Sequence, residues 1–120
     1  MLRAAGPSIN DEIDEVVTDL LREEADYDRM DSRSAHREHL VRAVHISALG
    51  QEQEQWSFSR NISLTGIGLI TQEKIAEDST AVLTIERLDG YKIEMLATCR
   101  WCSPYGKTWF MSGWQFINVR

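Results

Sequence analysis

Arg33-Ser34-Ala35-His36-Arg37 sets two guanidinium groups four residues apart with no acid between them. On a helix the pair would share a face, where like charges repel modestly. In a turn-like segment both groups can converge on one anion. A guanidinium offers five donors in a rigid fork, matches phosphate in a bidentate way and stacks on a base. It can also pair with the O6 and N7 edge of guanine. A second stretch with chemical content is RNISLTGIGLI, residues 60–70, where Asn61, Ser63 and Gly66 fall within six residues. Asn and Ser side chains bond to backbone amides one or two residues on, and glycine takes the positive φ of a tight corner. Each stretch also has a plainer reading, a solvated basic linker for the first and an inter-strand turn for the second.

Other reactive side chains are few. Cys99 and Cys102 form Cys-Arg-Trp-Cys, but zinc sites usually need four ligands and redox pairs usually open a helix. The pair lies in an alternating, strand-like run, where a spacing of three puts the thiols on opposite faces. They read as packing residues. His36, His39 and His45 lack metal-ligand company and read as surface or turn residues. No nucleophile stands near a base, and no paired carboxylates or metal set emerge, so an enzyme is not expected.

The chain has 120 residues and a net charge of −6, enough for one domain with one core. The charge is uneven. Residues 1–31 carry ten acids against three arginines, a net of −7, and residues 32–120 carry nine acids against ten Lys and Arg, a net of +1. Such a chain lacks the broad basic face that DNA or RNA binding needs, whereas a small anion needs only a few placed arginines. No apolar run is long enough to cross a bilayer and the N-terminus shows no apolar signal region, so a cytoplasmic location without membrane contact is expected.

Residues 8–30 read as an amphipathic helix, capped by Ser8 or Asn10 and started by Asp11 and Glu12. Ile13, Val16, Val17, Leu20 and Leu21 form one apolar stripe. It must be buried on the rest of the chain or on a second copy, and the acidic face opposite is expected to be solvated. From about residue 31 short strands take over, at 40–48, 56–62, 66–71, 79–88, 91–101 and 108–118. Asp89-Gly90 is a hairpin signal. Six strands at this spacing suggest a mainly β fold, an antiparallel barrel preceded by the helix. The organisation is thus an acidic helical extension, 1–31, and a barrel, 32–120. Trp56, Trp109 and Trp114 are expected in the core.

Arg-x-x-x-Arg, then a strand, then a second strand ending in Asn-x-Ser-x-x-Gly, resembles the PilZ domain family. Gly113-Trp114-Gln115-Phe116 is similar to the family's Gly-x-x-Phe in the last strand, and the resemblance spans roughly residues 32–118. Asn61 stands where the family often has Asp, and Arg29-x-x-x-Arg33 is a second register ranked below the first. The resemblance implies a six-stranded barrel that binds the bacterial second messenger cyclic di-GMP through Arg33, Arg37, Asn61, Ser63 and Gly66. Ser32 precedes the motif at a position that influences whether one ligand or a stacked pair is bound. Trp101 ends a strand near the implied site and would stack on a guanine, or else join the core with Tyr91, Ile93, Met95, Ala97 and Cys99. The expected function is a non-enzymatic second-messenger receptor that needs no cofactor, changes conformation on binding its ligand and signals to a protein partner. The alternative is an adaptor of the same fold that binds proteins without nucleotide. The helix is a candidate element for a homo-oligomer.

Overall fold

The computed structural model describes residues 9–30, 40–50 and 54–120. A helix, α1 (Ile9–Met30), precedes six strands: β1 (Ala43–Ala48), β2 (Glu54–Ile62), β3 (Gly66–Thr71), β4 (Thr80–Glu86), β5 (Lys92–Tyr105) and β6 (Trp109–Val119). All neighbouring strands are antiparallel, and they close into a barrel in the order β1-β2-β3-β6-β5-β4. This is the mainly β barrel with an N-terminal helix that the strand spacing suggests. Among the described residues, closure gives every strand a neighbour on both sides.

Alternation explains which residues fill the barrel. Val44 and Ile46 of β1, Ala81, Leu83 and Ile85 of β4, and Met95, Ala97 and Cys99 of β5 point inward and are buried. The β4–β5 hairpin turns at Asp89-Gly90, with Gly90 at φ +90° and the Tyr91 amide donating to Asp89 Oδ1 at 3.0 Å. β5 runs four residues past its expected end at 101, because its pairing with β6 continues to Tyr105↔Trp109. Gly106, at φ +72°, then takes the corner.

β2 departs from hydropathy. Ser57 and Ser59 face inward and Trp56 and Phe58 outward, with Trp56 57% exposed. The serines are satisfied there, since Ser57 Oγ donates to the Val44 carbonyl at 2.8 Å and Ser59 Oγ to that of Leu40. Trp56 is therefore a surface ring, tilted against His45 with centroids 5.0 Å apart. Trp109, beside the β5–β6 turn, is also largely outside the core. Of the three tryptophans assigned to the interior, Trp114 alone is there, its Nε1 donating to Ser112 Oγ at 2.8 Å.

The helix stripe is buried on this chain's own barrel. Ile13, Val17 and Leu20 belong to the core cluster, Val16 and Leu21 pack partly against it, and α1 lies against β6. An oligomer built on that stripe would have to open it. The acidic face is not wholly solvated, contrary to expectation. Arg42, with its side chain 5% exposed, donates from Nη1 to Glu24 Oε1 at 2.7 Å, and its Nη2 lies 3.4 Å from Glu23 Oε1. Glu23 also accepts from the Leu88 amide at 3.0 Å and lies 3.4 Å from Arg87 Nε. A buried guanidinium drew these two carboxylates inward, because an unpaired charge there would be costly. Asp14 and Glu15 remain exposed as expected.

Candidate functional site

A cleft of about 450 Å³ lies on the outer face of the barrel where β2, β3, β6 and β5 run side by side. Its geometry follows from one cross-strand row. Asn61 pairs with Gly68, Gly68 with Gly113, and Gly113 with Trp101. Two glycines thus make the floor, with an amide on one wall and an indole on the other. Both side chains lean inward over that floor. A Cβ on Gly68 would stand 2.4 Å from Asn61 Oδ1, and one on Gly113 would stand 2.2 Å from Trp101 Nε1.

Each wall is shaped by a β-bulge. In β2 the register shifts between Ser59 and Asn61, so Arg60 and Asn61 are both exposed. In β5 it shifts between Cys99 and Trp101, so Arg100 and Trp101 are both exposed. Bulges re-aim side chains in this way. Trp101 is 44% exposed and faces the cleft, so the core alternative for it does not hold. Alternation from Cys99 missed this because a bulge inverts parity. The same shift returns Cys102 to pack against the core that holds Cys99, so the two thiols are not on opposite faces. Both cysteines are free, and Cys102 Sγ accepts from the Ile75 amide at 3.4 Å. Burial, and then the neighbouring Cys102, push the Cys99 thiol up from 9.0 to about 11, which makes it an inert packing group at neutral pH.

The end of the cleft is the Asn61–Gly66 turn. The Ser63 amide donates to the Gly66 carbonyl at 2.9 Å, and Ser63 Oγ accepts from the amides of Thr65 and Gly66, each at 3.3 Å. Ser63 therefore pins the turn while its hydroxyl stays at the surface. Gly66 has no positive φ, so the conformational reason for a glycine here is incorrect. Space is the reason instead: a Cβ would stand 2.1 Å from the Trp114 carbonyl oxygen.

Asn61, Ser63, Gly66 and Trp101 thus meet in one cleft. Arg33, Arg37 and Ser32, with His36 and His39, lie outside the described residues. Downstream of them, the Leu40 amide donates to the Arg60 carbonyl at 3.0 Å, one residue from Asn61. Sequence reasoning did not single out Arg100, Met111 or Gln115 as lining residues, nor Gly68 and Gly113 as the floor. Two glycines facing each other across paired strands carry that signal, but only once register is known. Among the described residues no cluster of His, Cys, Asp or Glu is arranged to hold a metal ion.

Comparison with protein-family models matches residues 31–120 to the PilZ domain. Comparisons with curated proteins and with solved structures gave no match. The family match covers the whole barrel and the Arg-x-x-x-Arg segment before it, so this chain belongs to the PilZ domain family.

Proposed function

We propose that this protein is a cyclic di-GMP receptor without enzymatic activity of its own. The observation that carries the reading is the tether at Leu40. Arg37 is three residues upstream of an amide bonded beside Asn61, so its Cα is within about 11 Å of the Leu40 Cα whatever path the chain takes. Chain length alone thus allows Arg37 to reach the cleft that Asn61, Ser63 and Gly66 line.

In this reading Arg33 and Arg37 meet the phosphates and a guanine edge of the dianion through charge-assisted, bidentate bonds. Asn61 presents its amide to a base, and Trp101 stacks on a guanine over the glycine floor. Ser63 and Gly66 hold the turn that aims Asn61, and Ser32 borders the motif and bears on whether one ligand or a stacked pair is seated. Binding shifts the Arg segment toward a closed form by its differential affinity for that form, and the altered surface is what a protein partner reads, in the cytoplasm. No cofactor is required.

The alternative is an adaptor that contacts proteins and takes no nucleotide. The outward Trp56 and Phe58 favour it, as exposed aromatic rings that are not among the residues lining the cleft. Amide chemical shifts recorded during a cyclic di-GMP titration separate the two. The receptor reading expects saturable shifts at Asn61, Ser63, Gly68, Trp101 and Gly113. A spectrum unchanged by excess ligand contradicts it and leaves the adaptor.

A further inference from the structure

Cys99 faces the interior and is fully buried, and the next two residues both face out. The bulge in β5 sets Cys99 opposite Trp114 and Trp101 opposite Gly113, which leaves Arg100 as the extra residue. A regular strand would have turned one of Arg100 and Trp101 away from the cleft. With the bulge, a guanidinium and an indole stand next to each other on one wall.

Arg100 is the one ionised side chain among the described residues lining the cleft, and no carboxylate lines it with Arg100. Its side chain is 57% exposed, and its carboxylate neighbour Asp78, more exposed still, stands 3.8 Å from Nη1. A surface pair at that distance contributes little and exchanges readily. The guanidinium is thus free to take a better partner. A ligand that carries a base and an anionic group side by side matches this wall, with the base on Trp101 and the anion on Arg100.

We infer that Arg100 is a further anion-recognising residue of the cleft, holding a phosphate of the cyclic dinucleotide from the β5 wall. The inference rests on the receptor reading and deepens it, by adding a cation on the side of the cleft opposite Asn61. The fork geometry of arginine suits a phosphate bidentately, which a lysine at this position would not reproduce. Arg100 is more than half exposed and does not belong to the core cluster, so its replacement should leave folding intact.

The test is a titration of the full chain with cyclic di-GMP at several salt concentrations, comparing the unaltered protein, Arg100→Gln and Asp78→Asn. Arg100→Gln is expected to bind roughly tenfold more weakly, as loss of one charge-assisted contact does, and with a flatter salt dependence. Its melting temperature should be unchanged, and Asp78→Asn should bind at least as tightly as the unaltered protein. If Arg100 serves only to pair with Asp78, both variants will weaken binding alike, which overturns the inference. Equal affinity and salt dependence for Arg100→Gln also overturn it while leaving the receptor reading in place. Failure of the unaltered protein to bind overturns both.

Discussion

Trp101 and Gly113 face each other across β5 and β6, and the indole occupies the space that a side chain at 113 would fill. The same relationship joins Asn61 to Gly68 on the other wall. The shape of the cleft therefore depends on two absent side chains, because each glycine leaves the space into which its neighbour folds.

Gly66 and Gly113 should respond differently to the same substitution. In Gly66→Ala the new Cβ meets a backbone carbonyl, which cannot move without breaking the β3–β6 pairing. A loss of about 1–3 kcal/mol or more is expected, as in overpacked sites. In Gly113→Ala the Cβ meets an exposed indole that can swing aside, so stability should stay within about 1 kcal/mol while ligand affinity falls. Thermal melting and a cyclic di-GMP titration on both variants check this. Equal destabilisation of the two would contradict it.

Trp101 and Trp114 make a second pair with opposite roles. Trp101→Ala removes a half-exposed ring and should cost about 1–3 kcal/mol of binding through lost stacking, with little change in stability. Trp114→Ala empties a core position and should cost about 3–5 kcal/mol of stability. Denaturant unfolding with binding isotherms on each variant would show the two effects falling on different quantities.

The clasp between helix and barrel should be strongly one-sided. Arg42→Ala would leave Glu24 nearly buried without its cation and Glu23 with Arg87 alone, at a cost of about 3–5 kcal/mol. Adding Glu24→Gln to that variant should restore part of the loss, because it removes a stranded charge. Urea unfolding measures both. A change below about 0.5 kcal/mol in Arg42→Ala would mean that the pairing does not hold the helix.

Cys99 gives a pH dependence with a defined sign. Its folded pKa is raised, from 9.0 to about 11, so the folded state keeps the proton that the unfolded chain releases. The stabilisation is complete below pH 9 and is lost as pH rises toward 11. Across that window stability should fall more steeply in the unaltered protein than in Cys99→Ala. Parallel pH profiles would show that folding does not raise the pKa of this thiol. At pH 8, alkylation should reach Cys102 well before Cys99.

Legibility in the sequence followed periodicity. The stripe Ile13-Val17-Leu20 and the inward residues of β4 and β5 alternate cleanly, and their burial matches. The turn after Asn61 was also readable, from the Ser63 side chain that bonds its own backbone. What stayed hidden depends on register and on long-range charge. A bulge at residue 100 turned Trp101 outward, inward serines turned Trp56 outward, and Arg42 drew Glu23 and Glu24 against the barrel. None of these leaves a local mark, because each is settled by a neighbour 12 or more residues away in the chain.

The most direct test of the central claim is calorimetric titration of the full chain with cyclic di-GMP, run beside Arg37→Ala and Asn61→Ala. The account predicts saturable heat for the unaltered protein and at least tenfold weaker binding in Arg37→Ala, the loss of one charge-assisted contact. Asn61→Ala should fall between the two. No heat with folded protein at high ligand concentration would contradict the claim, as would binding that Arg37→Ala leaves unchanged.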